Sequence, residues 1–154
     1  MSKISAGILL FRTKKDHPEV LLVHPGGPFW KNKDEGSWTI PKGETNDGEA
    51  LLPAAIREFQ EETGILLSGD FIELTPVKQK SGKLVYAWAL EGDIIADEIK
   101  SNNFEIEWPT RSGKIQSFPE IDKAAWYDVK TAKEKINAAQ AALLDELNEL
   151  LFRR

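Results

Sequence analysis

Three glutamates, Glu58, Glu61 and Glu62, fall within one helical turn of the segment 43–65, GETNDGEALLPAAIREFQEETGI. At about 100° per residue, Glu58 and Glu62 lie about 40° apart on a helix and Glu61 about 60° to the other side of Glu58. Like charges crowded in this way repel, so the arrangement suits either a well-solvated face or a bound cation. Hard divalent cations such as Mg²⁺ take oxygen ligands, and a carboxylate pair at i, i+4 can grip one metal or a close pair, with Glu61 joining them or acting on a water. Gly43 lets the backbone approach closely, which makes its carbonyl a further candidate ligand. Arg57, four residues before Glu61, can pair with it and hold it, and Lys42 is placed to support phosphate charge. Metals held like this neutralise phosphate oxygens and acidify a water for attack on phosphorus. An isolated E-x-x-E-E, by contrast, is usually a solvated face.

The elements that must position these groups follow from the apolar pattern. Leu52, Ala55, Ile56 and Phe59 form one stripe at helical spacing, with Glu58 and Glu62 at its edge and Gly64 as the stop. Asn46 or Asp47 is the expected cap, Asn46 with Glu49 matching a capping box. Pro53 requires the regular helix to start near Leu51 or to kink. Before it, strands are expected at Ile4–Phe11, Glu19–His24 and, briefly, Trp38–Ile40, with a charged turn at Arg12–Pro18 and a Gly/Pro/charge loop carrying Trp30, Lys31 and Lys33. After it, Phe71–Lys80 and Lys83–Glu91 read as strands joined at Ser81-Gly82, with Tyr86 and Trp88 on one face and Val85, Ala87 and Ala89 on the other. The stretch 93–103 reads as irregular, Phe104–Trp108 as a strand, 109–119 as loop with Arg111 and Lys114, Lys123–Val129 as a last strand, and Thr131–Leu151 as one helix.

A length of 154 residues suits one domain, 1–154, and 41% hydrophobic residues can build a core. The net charge of −5 argues against a nucleic-acid partner. Without cysteine there are no disulfides, thiol nucleophiles or Cys-bound zinc. There is no signal-peptide pattern and no run near the ~18 apolar residues of a membrane span, so the expectation is a cytoplasmic protein with no membrane partner.

Gly43, five residues, Glu49, seven residues, then Arg57-Glu58-Phe59-Gln60-Glu61-Glu62-Thr63-Gly64-Ile65 resembles the Nudix box with every fixed position filled. The resemblance implies an α/β fold, an α/β/α sandwich around a central mixed sheet. It also implies hydrolysis of a pyrophosphate bond in a nucleoside diphosphate linked to another moiety, with Mg²⁺ or Mn²⁺. By the same carry-over, Glu58, Glu61 and Glu62 are metal ligands with the Gly43 carbonyl, Arg57 orients the carboxylates and Glu49 supports them. The general base is a glutamate of the box or of a later loop, for which Glu120 in FPEID is the candidate; as a lone loop residue it also reads as solvated. GSWTIPKGE resembles the W-x-x-PKG stretch of dinucleoside polyphosphate hydrolases and some nucleoside triphosphate pyrophosphohydrolases. Lys42, Lys80 and Arg111 are candidate polyphosphate contacts. Trp30, with Tyr86, Trp88 and Trp108, is a candidate for base stacking. The substrate expected first is a dinucleoside polyphosphate such as diadenosine tetraphosphate, taken by a monomer or homodimer. Nucleoside triphosphates, nucleotide sugars and a non-catalytic nucleotide-binding module are the alternatives.

Overall fold

A computed structural model describes residues 4–152. Its centre is β1 (Ile4–Lys14), whose neighbours run in both directions. β6 (Leu84–Glu91) lies parallel to it over Ile4–Phe11, while β2 (His17–Pro25) and the short β3 (Lys42–Glu44) pair with it antiparallel. β4 (Ile72–Glu73) and β5 (Val77–Lys78) continue the sheet beyond β6, and β9 (Ile121–Asp128) closes the other side against β2. Alternation along these strands splits the core in two. Leu9, Phe11, Val85, Ala87 and Ala89 face α2 (Val129–Lys135) and α3 (Ala141–Phe152). Ala6, Ile8, Leu10 and Trp88 face α1 (Leu51–Thr63) through Ala54, Ala55 and Phe59. The result is the expected sandwich around a mixed sheet. No helix among the described residues is long and apolar enough to cross a membrane.

Several boundaries differ from the sequence expectation, each for a local reason. The charged turn shrinks to Lys15 and Asp16, both at positive φ (51° and 67°), the two-residue connection whose twist matches its strands. α1 starts at Leu51 without a side-chain cap, so Asn46 does not cap it. Asn46 instead gives its backbone N–H to Glu49 Oε1 at 3.0 Å in a turn ahead of the helix. Pro53 then falls in the first turn, where its missing N–H has no partner to lose. Gly64 ends the helix at φ 81°. The strand expected over 71–80 breaks where Pro76 cannot donate, and Thr75 turns its N–H to Glu146 Oε1 at 2.8 Å. The loop expected over 109–119 contains β8 (Ile115–Pro119), which forms a separate two-stranded ribbon with β7 (Asn103–Glu107). The C-terminal helix is two helices. Ile136 turns extended to bridge Trp38, and the Asn137 side chain accepts from Ala139 N–H at 3.0 Å. Trp38 and Thr39 make only isolated bridges, and the third strand forms downstream at Lys42–Glu44.

Candidate active site

β3 pairs with β1 so that Ala6 lies opposite Gly43, turning Gly43 toward α1. A Cβ added there would sit 2.0 Å from Glu58 Oε2 and 2.1 Å from its Cδ. Only glycine permits a carboxylate to rest on the backbone at this point. One residue earlier, the Lys42 N–H points at Glu62 Oε1, 3.3 Å away. Glu58 and Glu62 are each 8% exposed. Burial raises the Glu58 carboxyl above the usual range; Glu61 adds to this and Arg57 offsets it. Burial raises Glu62 well above it, offset first by Lys42, with Glu58 and Glu120 adding to the rise.

Arg57 occupies the outer side of the cluster and uses its whole donor fork. Nε and Nη2 reach the two oxygens of Glu49 at 2.8 and 3.0 Å. Nη1 reaches Glu58 Oε1 at 2.9 Å and Glu61 Oε2 at 2.5 Å, and Nη2 also reaches the Glu44 carbonyl at 3.2 Å. This bidentate pair holds the Glu49 carboxyl down to about 2. Lys42 is the contrasting cation. Its ammonium donates no hydrogen bond to, and forms no ion pair with, any described residue, and burial, with Lys83 nearby, lowers its pKa.

Glu120 comes from the far end of the sequence but belongs to the same electrostatic neighbourhood. Burial and then Glu61 raise its carboxyl. Its position follows from how α1 ends. The orphan carbonyls of Glu61 and Thr63 accept from Asn102 N–H at 2.9 Å and Lys100 N–H at 2.8 Å. Asn102 then accepts the Glu120 N–H at 2.8 Å, and Glu120 accepts the Gly26 N–H at 2.8 Å. In the sequence, 93–103 is only an irregular charged stretch, with nothing that singles out Asn102 or Lys100. Their signal is backbone hydrogen bonding, which leaves no trace in residue type.

Glu58, Glu61, Glu62 and Glu120 thus influence one another electrostatically, with Arg57 bonded to Glu49, Glu58 and Glu61, and with Lys42 and Lys83 as further cations nearby. Such oxygens, with Glu58 buried against the Gly43 backbone and Glu62 facing the Lys42 N–H, are of the kind a hard divalent cation takes. Among the described residues, no three acidic or imidazole groups stand together as a ready metal cage. Arg57 Nη1 lies between Glu58 and Glu61 instead.

The other expected residues fall into two groups. Trp30 is 39% exposed in the loop after β2, with Lys33 Nζ 5.5 Å from its ring centroid. Its neighbour Phe29 packs edge-on against Trp108 at 5.2 Å, at the end of the ribbon that carries Arg111. Trp30 and Arg111 therefore sit on adjoining segments. Lys80 lies elsewhere, lining a shallow cavity of about 760 Å³ with Gly36, Ser81 and Asn137 that none of the four carboxylates reaches. Trp88 is only 8% exposed beneath α1, so it is a core residue with no face free for a base.

A NUDIX domain family model matches residues 1–147. Nudix hydrolase 7 of Arabidopsis thaliana is 37% identical over 76 residues, covering 49% of this chain and 25% of that protein. The asymmetrical bis(5'-nucleosyl)-tetraphosphatase of Rattus norvegicus is 45% identical over 60 residues, 35% of this chain and 41% of that protein. The chain thus spans well under half the length of either relative. Among solved structures, an Ap4A hydrolase of C. elegans in a binary complex superposes with a TM-score of 0.67 over 97% of both chains, at 23% identity.

Proposed function

The chain belongs to the NUDIX family, and on that premise we propose that it hydrolyses a pyrophosphate bond in a nucleoside diphosphate derivative, with a dinucleoside polyphosphate such as diadenosine tetraphosphate as the substrate. The observation that carries this reading is the pair of buried carboxyl groups beside the Gly43 backbone, Glu58 resting on Gly43 and Glu62 facing the Lys42 N–H. Glu58, Glu61, Glu62 and the Gly43 carbonyl would hold Mg²⁺, with Mn²⁺ as a substitute. When bound, such a metal neutralises phosphate oxygens and lowers the pKa of a coordinated water. Arg57, fixed by Glu49, aims Glu58 and Glu61. Glu120, whose carboxyl is raised by burial and by Glu61, is the candidate to accept the proton of the attacking water. The Lys42 ammonium, which has no hydrogen-bond or ion-pair partner among the described residues, is the candidate phosphate contact beside the cluster, and Trp30 and Arg111 are candidates for the more distant parts of a long substrate.

The choice of a dinucleoside polyphosphate is supported by the Trp38–Gly43 stretch and by the likeness to the rat tetraphosphatase. Incubating the chain with Mg²⁺ and a panel of diadenosine tetraphosphate, nucleoside triphosphates and nucleotide sugars, with products resolved by chromatography, tests it. Metal-dependent cleavage of diadenosine tetraphosphate, with the highest kcat/KM of the panel, is the expected result. Preferential cleavage of another member would move the substrate, and binding without turnover would leave a nucleotide-binding module.

A further inference from the structure

His24 stands near the end of β2 with 1% of its surface exposed and both ring nitrogens engaged. Nδ1 lies 2.8 Å from Asp122 Oδ1, and Nε2 lies 2.7 Å from the backbone carbonyl oxygen of Lys33. A carboxylate and a carbonyl both accept, and neither donates. A neutral imidazole has one N–H and satisfies one of them; an imidazolium has two and satisfies both. The pairing register of β2 with β9 slips between His24 and Pro25, leaving Asp122 opposite no residue. Trp38 packs edge-on to the ring at 5.2 Å and donates its Nε1–H to Asp34, next to Lys33, at 2.8 Å. The charged groups around the ring are Asp122 and Lys123 from β9, Asp34 from the loop, and Lys135 from α2, which bonds Asp34.

We propose that His24 is a positioning residue: as an imidazolium it clasps the loop 25–37 to the start of β9. The bridge closes the segment from His24 to Lys33, which carries Trp30 and Lys31, into a ring. Through Asp122 it also fixes the strand that begins just after Glu120, whose carbonyl accepts from Gly26 inside the same loop. Losing one ring proton leaves two acceptors sharing a single donor, so either Lys33 or Asp122 is released. The clasp does not depend on which phosphate compound is cleaved.

The chain has two histidines, and His17 at the exposed hairpin is the internal control. The test is NMR of the ¹⁵N-histidine-labelled full chain between pH 5 and 9, without metal or nucleotide, with His17 assigned by H17Q. Two His24 ring N–H protons should be seen at the acid end, exchanging with water at least ~10-fold more slowly than those of His17. Backbone amides of 26–37 should lose protection by about 10-fold as pH rises, with the midpoint of the His24 ring. A single ring proton throughout, or a ring that titrates while the loop amides stay unchanged, overturns the proposal. His24→Gln, with one donor and one acceptor end, should show the high-pH loop spectrum at every pH; a wild-type low-pH spectrum overturns the proposal too. If H24Q does not fold, the wild-type titration decides alone. No readout uses turnover, so failure of the clasp and failure of the hydrolase reading are distinguishable.

Discussion

The segment 49–62 carries two unlike halves of one acidic cluster. On its outer side, Glu49 and Arg57 form a closed clamp in which the guanidinium donates five hydrogen bonds and every partner is an oxygen of this chain. On its inner side, Glu58 and Glu62 are buried against Gly43 and the Lys42 N–H, where desolvation outweighs the cations nearby. The same residue type meets opposite fates at the two ends of the segment 49–62. Glu49 is held down to about 2, while Glu62 is pushed up. Hydrogen bonding to a fixed cation wins at the first, and desolvation wins at the second. The clamp is closed by groups of this chain, and on the proposed function the cradle is the half that a cation from outside would complete.

The largest expected effect comes from emptying the cradle. Glu62→Gln should lower Mg²⁺-dependent turnover by roughly 10²–10³-fold, the scale of losing one preorganised electrostatic group, with an unchanged circular dichroism spectrum. Full activity would remove Glu62 from the cradle. Gly43→Ala should follow, because the new methyl enters the space of the Glu58 carboxylate. A stability loss of about 1–3 kcal/mol is expected from overpacking, measurable by urea denaturation. Weakened Mn²⁺ binding by calorimetry should accompany it, and normal binding would mean that Glu58 has room to move.

Breaking the clamp should cost less. Arg57→Lys keeps the charge but not the fork, and a loss of about 10–100-fold in metal affinity or kcat is the usual scale for such an outer partner. Equal losses in Arg57→Lys and Glu62→Gln would erase the distinction between the two halves. The smallest effect is expected at Lys80, where Lys80→Ala should leave kcat/KM within about twofold, as for a surface change away from such features.

The halves also respond to pH with opposite signs. Glu49 sits below its ordinary value, so its contribution to stability is present above the unfolded carboxylate range and is lost as pH falls toward about 2. Glu58, Glu62 and Glu120 sit above theirs, so the folded chain binds more protons there than the unfolded chain. Their contribution is present below the unfolded range and is lost as pH rises through the raised values. A divalent cation takes the deprotonated groups, so the increase in Tm caused by Mg²⁺ should grow with pH upward from the ordinary carboxylate range. A constant increment from pH 5 to 8 in thermal melts would contradict the shifts in the cradle.

Residue order alone carries α1, its glycine stop and the register that sets Glu58 and Glu62 at the edge of an apolar stripe. Helical periodicity is a local property, written every three or four residues. It also carried the strand faces, with Tyr86 and Trp88 on one side and Val85, Ala87 and Ala89 on the other, because strand alternation is equally local. The start of α1 near Leu51 was legible from Pro53, but the helix break at Ile136, the strand at Ile115–Pro119 and the absence of an Asn46 cap were not, since each depends on a partner distant in sequence or on a turn taken by the backbone. The same holds within the cluster. Only the fold brings Glu120 to Glu61, leaves the Lys42 ammonium without a described partner, and seals both nitrogens of His24 between two acceptors. The physical reason is that burial and electrostatic proximity are set through space, by which strand pairs with which, whereas residue spacing reports only what one turn or one pleat brings together.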